Sequence, residues 1–258
     1  MALPHETHLI KNFNLVDLES AFNQALGITE SIYKQIETVE SLYKTYFSQT
    51  YSPLPHDFTK HRKEDLQKRM RQVSWRYVIS KMQIDNYISS KKRDELNELI
   101  EQDKLGPFNA LTVSNFITDA AMNVNSLVDE AAKEVFEYVR PRTGHKTNEF
   151  SKGMPEKVII TGISSYQTWY KTISVGYHNE KKLKDLDNIF HLLDGKGPIQ
   201  YPGDLLTKIK ETAYNTINMT EYFEFKVFAG NGNLHLKFKR MDLANKLAQI
   251  ATNNVLHS

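Results

Sequence analysis

Residues 221–240 constrain the fold more than any other segment of this sequence. Two runs of alternating apolar and polar residues flank Asn231-Gly232, a dipeptide that is typical of a two-residue turn between antiparallel strands. Because a single register sorts the side chains of both runs onto two faces, the segment predicts a β-hairpin. The predicted pairs are Val227 with Leu236 and Phe225 with Phe238 on the apolar face, and Phe228 with His235, Lys226 with Lys237 and Glu224 with Lys239 on the polar face.

Helical periodicity dominates the first half of the chain. Apolar residues recur at spacings of three and four over 17–47, 60–82 and 112–139, which predicts three amphipathic helices, with Gly27 as a candidate break in the first. A shorter charged helix is predicted over 91–104. The first half is therefore expected to form a helical bundle.

The character of the sequence changes near residue 140, where β-branched residues begin to cluster. We therefore expect an α+β fold, in which an N-terminal helical bundle is followed by a small antiparallel β-sheet with short helices and a C-terminal helix. The predicted regions are 1–140 and 141–258, and the sequence leaves open whether they share one core. Besides the hairpin, the second region is predicted to contain strands over 158–161 and 172–175 and helices over 184–193, 203–216 and 241–250.

Composition excludes several classes of protein. The 33 Lys and Arg against 31 Asp and Glu leave a formal net charge of +2, too balanced for a strongly basic nucleic-acid coat. The absence of cysteine excludes disulfides, thiolate catalysis and cysteine-ligated metal sites. The nine histidines are scattered, and His5-Glu6-Thr7-His8 lacks zinc-helix spacing, so we expect neither a metal nor another cofactor. We also expect no targeting signal or membrane span, and hence a cytoplasmic protein.

Three groups of basic residues are candidates for binding phosphate. Cations concentrated on one rigid surface favour a polyanion. Lysines also protect sheet edges and cover solvated helix faces, and these structural alternatives stay open. The candidates are Lys226, Lys237, Lys239 and Arg240 on the hairpin, Arg142, Lys146 and Asn148 in a glycine-containing loop, and Lys60, Arg62, Lys63, Lys68, Arg69 and Arg71 in the helix predicted over 60–82.

His191, His235 and Lys146 are candidates for a catalytic site. Neighbouring lysines disfavour protonation of His235, which would leave a neutral base near neutral pH. Two imidazoles, with a lysine that stabilises phosphate charge, could cleave a phosphodiester without a metal. His191 also lies at a predicted helix end, where the helix dipole alone favours a histidine. Asp185 and Asp187 are expected on a solvated helix surface.

Four motifs, taken in chain order, resemble a known family. They are Ser74-Trp75-Arg76, Gly144-His145-Lys146-Thr147-Asn148, Phe190-His191-Leu192-Leu193-Asp194-Gly195-Lys196, and Asn231-Gly232-Asn233-Leu234-His235 followed by Arg240-Met241-Asp242. The resemblance is to the phage- and plasmid-associated family named domain of unknown function 4942, and it covers roughly Asp17 to Ile250. The residues that carry it are Trp75, Arg76, Thr147, Asp194, Gly195, Lys196, Asn231, Gly232, Asn233 and Asp242.

The resemblance implies an association with mobile elements and with adenine-type DNA methyltransferases. This chain lacks an Asn/Asp-Pro-Pro-Tyr/Phe motif and a glycine-rich cofactor loop, so we do not expect it to transfer methyl groups itself. We expect a non-enzymatic, nucleic-acid-associated accessory module of a phage or mobile element, linked to DNA modification or counter-defence in a bacterial host. Its expected partners are DNA, RNA or a methyltransferase. The alternatives are the metal-independent nuclease outlined above and a protein-binding inhibitor of a host defence complex.

Overall fold

The computed structural model of the chain describes residues 14–47, 60–140, 154–165, 173–199 and 203–252. Helices predominate, and the strands are short, so the predicted α+β class is confirmed. The helices are α1 Leu15–Phe47, α2 Lys60–Lys81, α3 Ser90–Glu101, α4 Ala110–Met122, α5 Val124–Val139, α6 Tyr177–Leu193, α7 Leu205–Glu211 and α8 Met241–Thr252. The strands are β1 Lys157–Ile160, β2 Ser164–Ser165, β3 Ser174–Val175, β4 Ile217–Met219, β5 Phe223–Val227 and β6 Leu234–Phe238. None of the described helices is both long and apolar enough to cross a membrane.

The described residues divide into two compact units. The helical unit contains 14–47, 60–84 and 94–122, and the sheet unit contains 85–93 together with the residues described from 123 onward. This division differs from the predicted boundary at residue 140, because α5 packs against α6 and α8 and so belongs to the sheet unit. Neither unit is one continuous stretch of chain.

An aromatic cluster forms the core of the helical unit. Trp75 is almost fully buried and meets Phe108 and Phe116 edge to face, at ring-centroid distances of 5.7 Å and 5.3 Å. Its indole Nε1 donates a hydrogen bond of 3.3 Å to the carbonyl of Gly106, so the polar end of the ring is also satisfied. Gly27, which is solvent-exposed, does not break α1, and the helix runs on through it.

The main sheet of the second unit is antiparallel, with strand order β1-β6-β5-β4. The predicted hairpin is present, but the predicted register is wrong by two residues, since Val227 pairs with Leu234 rather than with Leu236. The strands are joined by the four residues 229–232, and the amides of Phe228 and Gly232 close this loop with hydrogen bonds of 2.9 Å. Because side chains alternate with a period of two, a shift of two residues leaves every side chain on its predicted face.

The inner face of this sheet, formed by alternate residues of β5 and β6, is buried under α6. Phe190 of α6 lies parallel to Phe238 at 5.6 Å and edge to face on Phe223 at 4.8 Å. All three rings are at most 1% exposed. Burying a large aromatic side chain stabilises a fold by about 1.5–3 kcal/mol, so this stack holds the helix on the sheet.

Several predicted helix boundaries are wrong. The single helix predicted over 112–139 is two helices, because Asn123 leaves helical geometry with ψ of 7° between α4 and α5. The helix predicted over 203–216 is shorter, from Leu205 to Glu211, and the edge strand β4 that follows at residues 217–219 was not predicted. α6 begins at Tyr177, seven residues before the predicted start at 184. Each difference reflects tertiary packing that local periodicity does not encode.

Candidate nucleic-acid interface

The outer face of the main sheet collects basic side chains from three adjacent strands. Lys226 lies opposite His235 in the register, and His235 lies opposite Ile159 on its other side. Two residues further along β6, Lys237 lies opposite Lys157 of β1 on one side and opposite Glu224 of β5 on the other. Residues directly opposite each other in antiparallel strands project to the same face. We name the set Lys157, Lys226, His235 and Lys237 the lysine face.

His235 lies at the centre of the lysine face. Its ring is 4.4 Å from the ring of Phe228, and the ammonium of Lys226 lies 4.8 Å from the Phe228 centroid. Burial is the main cause that lowers the pKa of His235, and the charges of Lys157 and Lys226 lower it further. The imidazole is therefore neutral near pH 7 and adds a flat, uncharged ring beside the ammonium groups.

The cations of the lysine face are only partly compensated. Lys237 forms an ion pair of 3.2 Å with Glu156, and both side chains are about half exposed. Lys157 and Lys226 form no ion pair with any residue that the structure describes. The sequence pattern does not indicate Lys157 as part of this face, because its position opposite Lys237 depends on pairing between strands about 80 residues apart.

Exposed apolar side chains border the lysine face along the edge strand. Ile217 lies opposite Lys226 and Met219 lies opposite Glu224, so both project to the outer face of the sheet. They are 63% and 59% exposed. The outer face thus combines ammonium groups, two rings and apolar side chains, which are the groups that contact phosphates and bases in single-stranded nucleic acids.

The other two basic residues predicted on the hairpin have different surroundings. The ammonium of Lys239 donates a hydrogen bond of 2.8 Å to the carbonyl of Thr220. Arg240 makes ion pairs with Asp194, at 3.0 Å, and with Asp242, at 2.6 Å. Two carboxylates compensate this guanidinium, so Arg240 is not a free phosphate ligand beside the lysine face.

Arg240 belongs to an ion-pair cluster that unites two of the sequence motifs. Lys196 pairs with Glu221 and, at 2.9 Å, with Asp194, which follows the last residue of α6. The hydroxyl of Tyr222 donates to Asp194 at 3.0 Å. The hydrogen bond from Lys196 is the main reason why the pKa of Asp194 lies below its usual value, and Tyr222 and Arg240 add to it. These motif residues hold the end of α6 against the strands, which is a structural role.

His191 is not part of the lysine face. It lies on α6, half-buried, with its ring edge to face on Tyr222 at 5.0 Å. Burial is the main cause that lowers its pKa. Since α6 covers the inner face of the sheet and His235 projects from the outer face, the structure does not bring the two imidazoles together. The geometry gives the His191–His235 nuclease site no support.

The basic stretch 60–71 begins α2, in the helical unit. Arg71 donates two hydrogen bonds of 3.0 Å to Asp103, and Arg69 lines an apolar groove of about 580 Å³ between α1 and α2. The motif residue Arg76 pairs with Glu101. Carboxylates therefore compensate part of the predicted basic surface. Arg62, Lys63 and Lys68 also lie on α2, whereas the side chains of Lys60 and His61 lie outside the described residues.

The glycine-containing loop predicted to bind phosphate lies outside the described residues. Its phosphate-binding candidates are Arg142, Lys146 and Asn148, and its motif residue is Thr147.

The Asn231-Gly232-Asn233 motif has a structural role at the tip of the hairpin. Gly232 has φ of +63°, and a Cβ at this position would lie 1.9 Å from the carbonyl oxygen of Ser164. The carbonyl of Gly232 accepts a hydrogen bond of 2.9 Å from Ile163, and the side chain of Asn233 accepts one of 3.0 Å from Gly162. Only glycine fits between the tip and this neighbouring segment.

Two carboxylates that were expected in solvent are buried. Asp185 is 6% exposed and accepts a hydrogen bond of 2.9 Å from the amide of Ser90 and another from its hydroxyl. Asp187 is 2% exposed and accepts one of 2.6 Å from the amide of Leu205. Burial raises the pKa of Asp187 to about 7, although the Leu205 amide opposes the shift. The expectation of a solvated surface was wrong because 85–93 and α7 cover this side of α6.

Within the described ranges, no group of three or more His, Asp or Glu side chains is placed to hold a metal ion. Neither the curated proteins nor the solved structures contain a match to this chain. A family model described as domain of unknown function (DUF4942) matches residues 67–255. The match begins after α1, so the resemblance expected from residue 17 is confirmed only from 67 onward. Because the match spans well over half of its length, the chain belongs to the DUF4942 family.

Proposed function

We propose that this chain is a nucleic-acid-binding module without catalytic activity, and that the lysine face is its binding surface. The observation that carries the proposal is the convergence of Lys157, Lys226 and Lys237 on one side of a four-stranded sheet. A sheet is a rigid support, so the distances between these ammonium groups are largely preset. Cations held at preset distances bind a polyanion with little loss of side-chain entropy.

A single strand fits the lysine face better than a duplex. Phe228 and His235 supply adjacent rings on which unpaired bases can stack, and Ile217 and Met219 extend the apolar border. Base stacking on a ring contributes about 1–3 kcal/mol per base and is available only when bases are unpaired. The lysines would then contact the phosphates on either side of the stacked bases.

Fluorescence anisotropy of the full chain with a labelled single strand of about 16 nucleotides tests the proposal. We expect binding that weakens from about 50 to 200 mM salt, with weaker binding to the matching duplex. Lys226→Ala combined with Lys237→Ala should weaken binding and reduce the slope of log affinity against log salt by about 1.4, since each phosphate contact contributes about 0.7.

The matched control for charge is Lys208→Ala. Lys208 lies on α7 and pairs with Glu211, away from the sheet face, so its removal changes the net charge without touching the lysine face. Binding of this variant should equal that of the wild type. Absence of binding at low salt, or an equal loss for Lys208→Ala, would overturn the proposal.

The biological setting forms a second part of the proposal and rests on the family resemblance alone. We place the module in a phage or mobile element, where it supports DNA modification or counters host defence. A DNA methyltransferase encoded beside it would then act on the nucleic acid that the lysine face holds. Methylation of a bound substrate by such an enzyme, with and without this chain, tests that part; equal rates would contradict it.

A further inference from the structure

An exposed apolar stripe runs along α1. It includes Ile28, Ile32, Val39, Leu42 and Tyr46, whose exposed fractions range from 37% to 76%. Single exposed apolar residues are common on protein surfaces, but a continuous stripe on one helix is typical of an interaction surface.

The stripe has the spacing of a coiled-coil seam. Positions 21, 25, 28, 32, 35, 39, 42 and 46 are all exposed and are separated by four and three residues in strict alternation, which is the spacing of a heptad repeat. The a positions are Ala25, Ile32, Val39 and Tyr46, and the d positions are Ala21, Ile28, Gln35 and Leu42. We name these eight residues the α1 seam.

The α1 seam is separate from the face that α1 buries inside the helical unit. Thr29 and Tyr33 are 9% and 8% exposed, and the hydroxyl of Thr29 lies 3.8 Å from the sulfur of Met70 on α2. Successive residues in a helix are rotated by about 100°, so this buried face lies beside the seam rather than behind it. Packing within the helical unit therefore leaves the seam uncovered from Ile28 to Tyr46, while Ala21 and Ala25, which are also exposed, line the groove between α1 and α2.

Charges are absent from the seam and from the positions that border it. In a coiled coil the e and g residues flank the a and d residues and meet the partner helix. Between 21 and 46 none of the a, d, e or g positions carries a charge. The five charged residues of this stretch all occupy b, c or f positions, namely Glu30, Lys34, Glu37, Glu40 and Lys44. Two copies of the same helix can thus approach along the seam without like-charge repulsion.

We propose that the α1 seam pairs with the α1 seam of a second copy of this chain in a parallel, in-register coiled coil. Gln35 decides the orientation. In a parallel pair each d residue meets the same d residue of the other copy, so the side-chain amides of the two Gln35 residues can form hydrogen bonds with each other. In an antiparallel pair Gln35 would meet an a residue, and no a residue of the seam has an amide. A buried amide without a partner costs about 1–3 kcal/mol.

The composition and length of the seam agree with a two-stranded coil. Ile32 and Val39 are β-branched residues at a, and Leu42 is at d, a combination that favours two strands, whereas Ile28 at d has the opposite preference. From Ala21 to Tyr46 the seam is about 38 Å long at 1.5 Å per residue. Pairing would bury a strip of apolar surface along more than three heptads.

Light scattering coupled to size exclusion, on the full chain across a dilution series, tests the pairing. We expect a dimer whose fraction falls on dilution, and a monomer for Ile32→Asp combined with Val39→Asp. The matched control is Asn23→Asp combined with Ser41→Asp, which adds two acids at exposed f and c positions of the same helix. The control should remain dimeric. A wild-type monomer at every concentration, or equal dissociation of the control, would overturn the proposal.

Cross-linking tests the register and does not depend on the stability of the Asp variants. The chain has no cysteine, so an introduced thiol is the only one present. After oxidation, Leu42→Cys should give a disulfide-linked dimer in high yield, because parallel in-register pairing places the two thiols in one layer, whereas antiparallel pairing along the whole seam would keep them far apart. Glu37→Cys, at an f position that faces away from the seam, should give little. Equal yields, or a higher yield for Glu37→Cys, would overturn the parallel seam.

Discussion

The two units of this protein differ in how far their apolar side chains are buried. In the sheet unit the aromatic residues of the main sheet and of α6, among them Phe190, Phe223 and Phe238, are almost completely buried. In the helical unit a buried centre around Trp75 coexists with exposed apolar residues on α1 and α2, such as Ile32 and Val73. The sheet unit therefore completes an aromatic core and exposes apolar side chains such as Ile217 and Met219 at its edge strand, whereas the helical unit exposes them along two helices.

Phe190→Ala tests the sheet side of this comparison and should have the largest effect. It removes a ring that stacks on Phe238 and meets Phe223, and it leaves a cavity in a fully buried site. We expect a loss of about 3–5 kcal/mol in the free energy of unfolding, measured by urea denaturation. Tyr177→Ala, at the exposed start of the same helix, is the control and should cost about 0.5 kcal/mol or less. Similar losses for both variants would contradict a complete core.

Asp187→Asn tests whether ionisation of the buried Asp187 carboxylate lowers the stability of the sheet unit. Burial raises the pKa of Asp187 from 3.8 to about 7. At pH values between 3.8 and about 7 the carboxyl of Asp187 is protonated in the folded protein and ionised in the unfolded chain. The free energy of unfolding should therefore fall as the pH rises through this range. The expected slope is on the order of 1 kcal/mol per pH unit.

The measurement for Asp187 is urea unfolding at a series of pH values from 4 to 8. The asparagine keeps an oxygen that can accept the hydrogen bond from Leu205 but cannot ionise, so the slope should be smaller. The variant should then exceed the wild type in stability at pH 8. A variant whose stability falls as steeply as that of the wild type would show that other groups cause the pH dependence.

Gly232→Ala tests how tightly the hairpin tip is held. The new Cβ would meet the carbonyl of Ser164, and the positive φ adds strain. We expect a loss of about 1–3 kcal/mol. Gly230→Ala, in the same loop but with open space around the site of the Cβ, should cost clearly less. Thermal unfolding of both variants measures the difference, and equal losses would show that the loop relaxes.

Val73→Ala tests the helical side and should have the smallest effect. Val73 is 63% exposed and lines the groove between α1 and α2, so its truncation removes little buried surface. We expect the free energy of unfolding to change by less than about 0.5 kcal/mol. A loss similar to that of Phe190→Ala would mean that Val73 belongs to a core, and the contrast between the units would disappear.

The features predicted correctly from sequence are those set by local periodicity. The positions of α1, α2 and α8 follow from apolar spacing, and the faces of the hairpin follow from alternation. The hairpin register could not be obtained in the same way, because two-residue and four-residue loops place the same side chains on the same faces. The hydrogen bonds of Phe228 and Gly232, which select the longer loop, are not visible in a pattern of apolar residues.

The candidate site was predictable in part for the same reason. Lys226, His235 and Lys237 share a face under any register that preserves alternation, so sequence placed them together. Lys157 joins them only through the pairing of β1 with β6, which sequence patterns did not predict. The burial of Asp185 was likewise missed, since its partner Ser90 lies 95 residues earlier in the chain.

The hydrogen bonds between Ser90 and Asp185 have a consequence for how this molecule can be divided or recombined. Residues 85–93 belong to the sheet unit although the helical unit surrounds them in sequence. A fragment that starts at Asn123 would lose Ser90 and leave the Asp185 carboxylate without those hydrogen bonds. No single proteolytic cut or gene fusion point therefore separates the units intact, so the two are expected to be inherited and exchanged together.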